Sequence, residues 1–79
     1  MSRKRELKKA IDDCESEIEA LERKRERSQI AVMRAMIAGV KPNPEDERYF
    51  QVFSDLIDKE REELRKLYAE LAEITKQKK

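Results

Sequence analysis

Hydrophobic side chains recur along two stretches of the chain at alternating spacings of three and four residues. This period matches an apolar stripe on an α-helix, so it predicts two amphipathic helices. The first ladder contains Leu7, Ile11, Cys14, Ile18, Leu21, Arg25, Ser28, Val32 and Ala35. The second contains Phe50, Phe53, Ile57, Glu60, Leu64, Leu67, Leu71 and Ile74. Each ladder holds one charged residue, Arg25 in the first and Glu60 in the second.

The segment between the ladders carries the signals of a helix end followed by a helix start. Gly39 can adopt the left-handed conformation that closes a helix, and Pro42 blocks its continuation. Asn43 is a favourable N-cap, and Pro44 suits the first helical position. The predicted organisation is one domain over residues 1–79, with helix 1 at about 3–38, a turn at 39–43 and helix 2 at about 44–76.

Folding the chain at this turn brings the two ladders together as an antiparallel hairpin. When facing residue numbers add to 85, each apolar rung from Ile11 onward meets an apolar or small partner, and Arg25 faces Glu60. Glu22 then falls opposite Arg61, which supports this alignment. A charged rung selects one register at some cost in stability. We therefore predict an all-α fold, a two-helix antiparallel coiled-coil hairpin, with Arg25 and Glu60 as its register-setting pair.

A second set of apolar residues lies outside this seam, in the half of the hairpin next to the turn, here called the loop-proximal half. Its members are Ile30, Met33, Met36, Ile37, Val40, Tyr49, Val52 and Leu56. A large exposed apolar patch marks an interface, and a chain of 79 residues has little core of its own. We predict a partner interface here. Two hairpins dimerising into a four-helix bundle is the favoured form, and a foreign helix in the same groove is the alternative.

Basic residues open and close the chain, and the antiparallel fold gathers them at one end of the rod, the basic tip. They are Arg3, Lys4, Arg5, Lys8, Lys9, Lys76, Lys78 and Lys79. Such a patch can bind nucleic acid or an acidic surface. It can also be a pair of solvated helix ends, which we favour because no aromatic residue or glycine lies nearby to support nucleic-acid recognition.

Composition argues against catalysis. Charged residues make up 47% of the chain with a net charge of only +1, and there is no His and one Cys. The usual general base and metal ligand is therefore absent, and Cys14 is expected to be a small buried hydrophobe. Tyr49 and Tyr68 are interpreted as packing beside the seam, and the many acids as a solvated helix face. We predict a protein that is not an enzyme and needs no metal or cofactor.

Hydropathy gives an expectation for location. No apolar run is long enough to cross a membrane, and the basic start is not followed by the apolar stretch of a secretory signal. A lone Cys at a core position fits a reducing compartment. We expect a cytoplasmic protein.

Residues around the turn resemble a known family. Helix 1 ends in Met33-Arg34-Ala35-Met36-Ile37-Ala38-Gly39, and helix 2 has Tyr49-Phe50-Gln51-Val52-Phe53 near its start. This is similar to the small helical-hairpin co-chaperones of bacterial type III secretion needle subunits, although the arms here are longer and more charged and the turn has two prolines. The resemblance covers about a quarter of the chain. It implies a chaperone-like role, with Ile37, Tyr49, Val52 and Phe53 as partner contacts.

Taken together, these patterns predict a non-enzymatic module for protein–protein interaction or assembly that works through the loop-proximal apolar residues. Nucleic-acid or acidic-surface binding through the basic tip is the alternative.

Overall fold

The computed structural model describes residues 2–77, which form two antiparallel α-helices. Helix α1 spans Arg3–Ile37 and helix α2 spans Pro44–Gln77. They pack side by side into a rod whose Cα atoms extend over 62 × 16 × 16 Å. The predicted all-α helical hairpin is confirmed. Dimerisation stays a prediction.

A glycine closes α1 at the turn. Gly39 has φ +76°, in the left-handed region that strains residues with a Cβ. The Gly39 N–H donates to the carbonyl of Met36 at 3.1 Å, and the Val40 N–H donates to the carbonyl of Ala35 at 2.9 Å. This pair of bonds is the Schellman motif, and it satisfies two carbonyls that the helix end would otherwise leave free.

An asparagine starts α2. The Asn43 side-chain Oδ1 accepts a hydrogen bond from the Glu45 N–H at 2.9 Å, and the Asn43 carbonyl accepts one from the Asp46 N–H at 3.0 Å. Glu45 and Asp46 lie in the first turn, where negative charge complements the helix dipole. Local hydrogen bonds therefore stabilise the turn both at the end of α1 and at the start of α2.

The buried core lies mainly in the half of the rod away from the turn. Its apolar members are Leu7, Ile11, Cys14, Ile18, Leu21 and Ile57. Leu7 and Ile57 are the most enclosed, at 1% and 0% exposure. Phe53, Leu64 and Leu67 are partly buried and pack against this cluster. Ser28 is buried among them, and its hydroxyl donates to the carbonyl of Lys24 at 3.5 Å.

Contacts between the helices correct the predicted register. The Cys14 Sγ lies 3.3 Å from the Glu60 carbonyl oxygen, and Arg3 pairs with Glu70 at 2.8 Å. The Glu22–Arg61 ion pair that the sequence predicted does form, at 2.7 Å. The residue numbers of the Cys14–Glu60 and Arg3–Glu70 pairs, however, add to 74 and 73, well below the predicted 85. Ile18 also lines a shallow cavity with Arg61, and these two numbers add to 79. The helices are thus offset by about one heptad, with α2 shifted toward the start of α1.

The register-setting pair predicted from the sequence is wrong for the same reason. Glu60 accepts a hydrogen bond from the Cys14 thiol through its Oε1 atom at 3.4 Å, and among residues 2–77 no ion pair joins it to Arg25. Heptad positions repeat every seven residues, so a slip of one heptad still sets apolar rungs against apolar rungs. The slip buries Leu7, which the predicted register would set opposite Lys78.

The register can be tested by disulfide trapping, because the chain has a single native Cys. A Glu60→Cys variant is expected to close an intramolecular disulfide with Cys14 under mild oxidation, measured by mass and by mobility on non-reducing gels at low protein concentration. Leu71→Cys, at the partner position of the predicted register, is the matched control. It lies eleven residues along α2, roughly 16 Å away, beyond the ~7 Å that a disulfide can span. Cross-linking through Leu71→Cys instead would contradict the observed register.

Candidate interaction surface

Large apolar side chains are exposed in the loop-proximal half of the rod. All eight residues of the predicted partner interface are at least 41% exposed: Ile30, Met33, Met36, Ile37, Val40, Tyr49, Val52 and Leu56. Within residues 2–77, Tyr68 is the one large exposed apolar side chain outside this region. The exposed apolar surface is therefore concentrated at one end of the molecule.

Exposure rises toward the turn. It is 41% at Ile30, 66% at Met36 and 84% at Ile37. The offset between the helices uncovers the last turn of α1, because α2 is shifted toward the start of α1. Ile30 and Ile37 lie on the side of α1 turned away from α2, so their exposure does not depend on this offset.

Two shallow cavities lie on opposite sides of the seam in the loop-proximal half of the rod. One cavity, of about 300 Å³, is lined by Gln29, Val32, Met33, Glu47, Phe50 and Gln51. The other, of about 320 Å³, is lined by Lys24, Arg27, Ser28, Tyr49 and Phe53. Val32 and Ser28 are seam positions, and at 100° per residue Met33 and Arg27 project from opposite sides of that seam. We call these the methionine face and the tyrosine face.

The eight residues of the predicted interface therefore lie on more than one side of the rod. Met36 extends the methionine face, three residues after Met33. Val52 and Leu56 extend the tyrosine face, three and seven residues after Tyr49. Ile30 and Ile37 lie on the side of α1 turned away from α2. On the tyrosine face, the ring of Tyr49 stacks on Phe53 with centroids 6.1 Å apart.

At the other end of the rod, the basic tip is partly neutralised. Arg3 pairs with Glu70 at 2.8 Å and with Glu6 at 3.5 Å, and these contacts, Glu70 first, raise the pKa of Arg3. Lys4, Arg5 and Lys8 line a shallow cavity with Ser2. Lys9 lies in α1 and Lys76 in the last turn of α2, whereas Lys78 and Lys79 fall outside the described residues. The Arg3–Glu70 pair does bring the two helix ends together.

Tyr68 makes a contact that the sequence interpretation missed. Its hydroxyl donates to the Glu15 Oε2 atom at 2.6 Å, and this hydrogen bond raises the pKa of Tyr68. The predicted packing role did not include a polar link between the helices. A signal was present, since Glu15 and Tyr68 lie one heptad from Glu22 and Arg61, which the sequence already set opposite each other.

Cys14 is enclosed in the seam at 7% exposure. Burial, followed by the hydrogen bond to Glu60, raises the pKa of the thiol. A raised pKa keeps the sulfur protonated, whereas the thiolate is the nucleophilic and metal-binding form. This environment suits the small buried hydrophobe that the ladder predicted.

Thiol chemistry supplies a test of this environment. We expect Cys14 to react with an aromatic disulfide reagent far more slowly in the folded protein than in urea, as measured by the released thiolate. Fast labelling in the folded state would contradict the buried position.

The raised pKa of Cys14 also predicts how stability depends on pH. Above the ordinary thiol pKa of about 8.5 the unfolded chain loses the proton first, so the free energy of unfolding falls as the pH rises and is unaffected below that value. Urea titrations from neutral pH to about pH 9.5 should show this decline, and a Cys14→Ala control should show less of it. An equal decline in both proteins would remove Cys14 as the cause.

Other kinds of site find no support in the described residues. Between residues 2 and 77 no group of three or more His, Cys, Asp or Glu side chains is arranged to hold a metal ion. Neither described helix is long and apolar enough to cross a membrane. Comparisons with protein-family models, curated proteins and solved structures found no significant match. Function is therefore argued from the surface itself.

Proposed function

We propose that this hairpin is a protein-interaction and assembly module, without catalytic activity, that associates through its loop-proximal apolar residues. One observation carries the proposal: eight large apolar side chains are exposed around the turn of a rod whose described core has six buried apolar residues. Exposed apolar side chains that cluster in one region mark interaction sites, whereas single scattered ones are ordinary.

Energetics favour association of such a chain. Burial of apolar surface contributes about 25 cal/mol per Å², and a short chain buries a smaller share of its surface than a large domain. The chain also has no disulfide, since Cys14 is its one Cys. Covering the loop-proximal half would add apolar burial where the hairpin has least of its own.

A second copy of the chain is the partner that we favour. It supplies matching apolar residues at the same end of the rod, and helical hairpins commonly assemble into bundles. A cytoplasmic location, with Cys14 reduced, fits this proposal.

A foreign helix is the alternative occupant, and the resemblance to secretion co-chaperones gives it a specific form. In that form a needle subunit would contact Ile37, Tyr49, Val52 and Phe53. Three of these are exposed, at 84%, 49% and 43%, while Phe53 is half-buried against the core. A hairpin of this kind would be monomeric alone and would form a defined complex with its subunit.

Light scattering coupled to size exclusion tests self-association. We expect a mass above that of one chain at micromolar concentration, decreasing on dilution. The double variant Met33→Asp with Ile37→Asp should reduce the mass to that of one chain, because two carboxylates would have to be desolvated in the interface. Far-UV circular dichroism should show the helices retained, since both side chains are at least half exposed.

The matched control for this experiment is Ser16→Asp with Ala69→Asp. It adds the same charge at two exposed positions in the half away from the turn. This control should assemble as the unmodified chain does. A folded monomer for the unmodified chain at high micromolar concentration would refute self-association and leave the foreign helix as the occupant to pursue.

The basic tip is the second candidate site, favoured by the surface that Lys4, Arg5 and Lys8 share. Binding there would be electrostatic, so its affinity would fall steeply with added salt. We expect labelled duplex DNA and single-stranded RNA to show weak binding at low salt, none at physiological salt, and none in Lys4→Glu with Arg5→Glu. Binding that survives physiological salt and is lost in this variant would favour nucleic-acid recognition over our proposal.

A further inference from the structure

The methionine face and the tyrosine face carry opposite charge. Beside Tyr49, the tyrosine-face cavity is lined by Lys24 and Arg27, and Arg34 follows one heptad after Arg27 on the same side of α1. On the methionine face, Glu47 is the charged residue that lines the cavity. Asp58 follows on the same side of α2, three turns after Glu47.

These charges are not used within the hairpin. In the part of the chain that the structure describes, the ion pairs involve Arg3, Arg61 and Arg65 as the cations. Among residues 2–77, Lys24, Arg27 and Glu47 thus have no oppositely charged group within ion-pair distance. They remain available to a partner, and two like faces brought together would set like charges against each other.

We propose that the methionine face of one copy docks on the tyrosine face of a second copy, so that the self-association proposed above joins two different surfaces. The apolar and charged groups are divided between the helices in a way that fits this contact. On the methionine face the exposed apolar residues Met33 and Met36 lie on α1, whereas Glu47 and Asp58 lie on α2. On the tyrosine face the cations lie on α1 and the apolar residues on α2.

Rotating the second copy by 180° about the axis perpendicular to the faces matches the apolar residues and the charged residues in a single arrangement. It sets α2 of the second copy over α1 of the first, so that Met33 and Met36 meet Val52 and Leu56. It also sets Glu47 of the first copy against the second copy's Arg27. Apolar side chains then meet apolar side chains, and acids meet cations.

The spacing along the helices agrees with this arrangement. Met36 lies nine residues after Arg27 in α1, and Leu56 lies nine residues after Glu47 in α2. With the copies antiparallel, one alignment therefore brings Met36 level with Leu56 and Glu47 level with Arg27. This agreement does not depend on the offset between α1 and α2 within a copy.

Docking between unlike faces does not produce a closed dimer. A twofold dimer uses the same patch on both copies, whereas here each copy that joins leaves one methionine face and one tyrosine face free. Assembly is then open-ended, a stack of alternating hairpins, and differs from the closed four-helix bundle expected from the sequence. Since surface charges take part, added salt should weaken it.

A mixing experiment distinguishes this arrangement from a symmetric dimer. Met33→Glu blocks the methionine face and Leu56→Glu blocks the tyrosine face, both at exposed positions. Each variant alone should be a single chain by light scattering, because every contact needs one face of each kind. An equimolar mixture should rise to two chains and stop there, since one variant keeps an intact tyrosine face and the other an intact methionine face.

The outcomes separate this inference from the proposed function. If the unmodified chain assembles but one variant alone still dimerises, or the mixture stays monomeric, docking between unlike faces is wrong while self-association survives. A monomeric unmodified chain would overturn both. Ala69→Glu, which adds the same charge at an exposed distal position, should assemble normally.

A charge exchange within one chain tests the pairing directly. Glu47→Arg should abolish or greatly weaken assembly, and adding Arg27→Glu to the same chain should restore it, with helicity followed by circular dichroism. Absence of any recovery in a folded double variant would contradict the Glu47–Arg27 contact between copies.

Discussion

The structure depends on burying two apolar ladders against each other along one seam. Heptad spacing makes the seam possible, but it permits several offsets between the helices that differ by seven residues. The observed offset encloses Leu7 and Ile57 and sets Glu60 beside the Cys14 thiol instead of an arginine. Among residues 2–77 the seam thus holds a thiol–carboxylate hydrogen bond and no ion pair between Arg25 and Glu60, so the desolvation cost of a buried ion pair is avoided.

That offset also determines which surface is left for partners. Shifting α2 toward the start of α1 completes the core away from the turn and leaves Met36, in the last turn of α1, exposed. The hairpin thus has a half that contains most of the buried core and a half whose large apolar residues remain exposed. Opposite charge on the two faces of that second half, with Arg27 on one and Glu47 on the other, makes unlike faces the complementary ones.

Much of this could be predicted from the sequence, because the signals are local. Gly39 and Asn43 mark the turn through their own backbone and side-chain chemistry, and the periodicity of three and four predicts both helices. The register could not be predicted, since a repeat of seven is unchanged by a slip of seven. Only packing over the whole length, ending at Leu7, distinguishes the alternatives.

The compact reversal at Gly39 and Asn43 has a consequence for the order of folding. Its hydrogen bonds join residues at most five apart, whereas Arg3 and Glu70 are 67 apart in sequence. Chain entropy favours closing short loops first, so the turn and the helix segments beside it are expected to form before the ends pair. The loop-proximal apolar residues would then be exposed while α1 and α2 have not yet packed together at the end away from the turn. For a nascent chain, contact with a neighbour could begin before its own folding is complete.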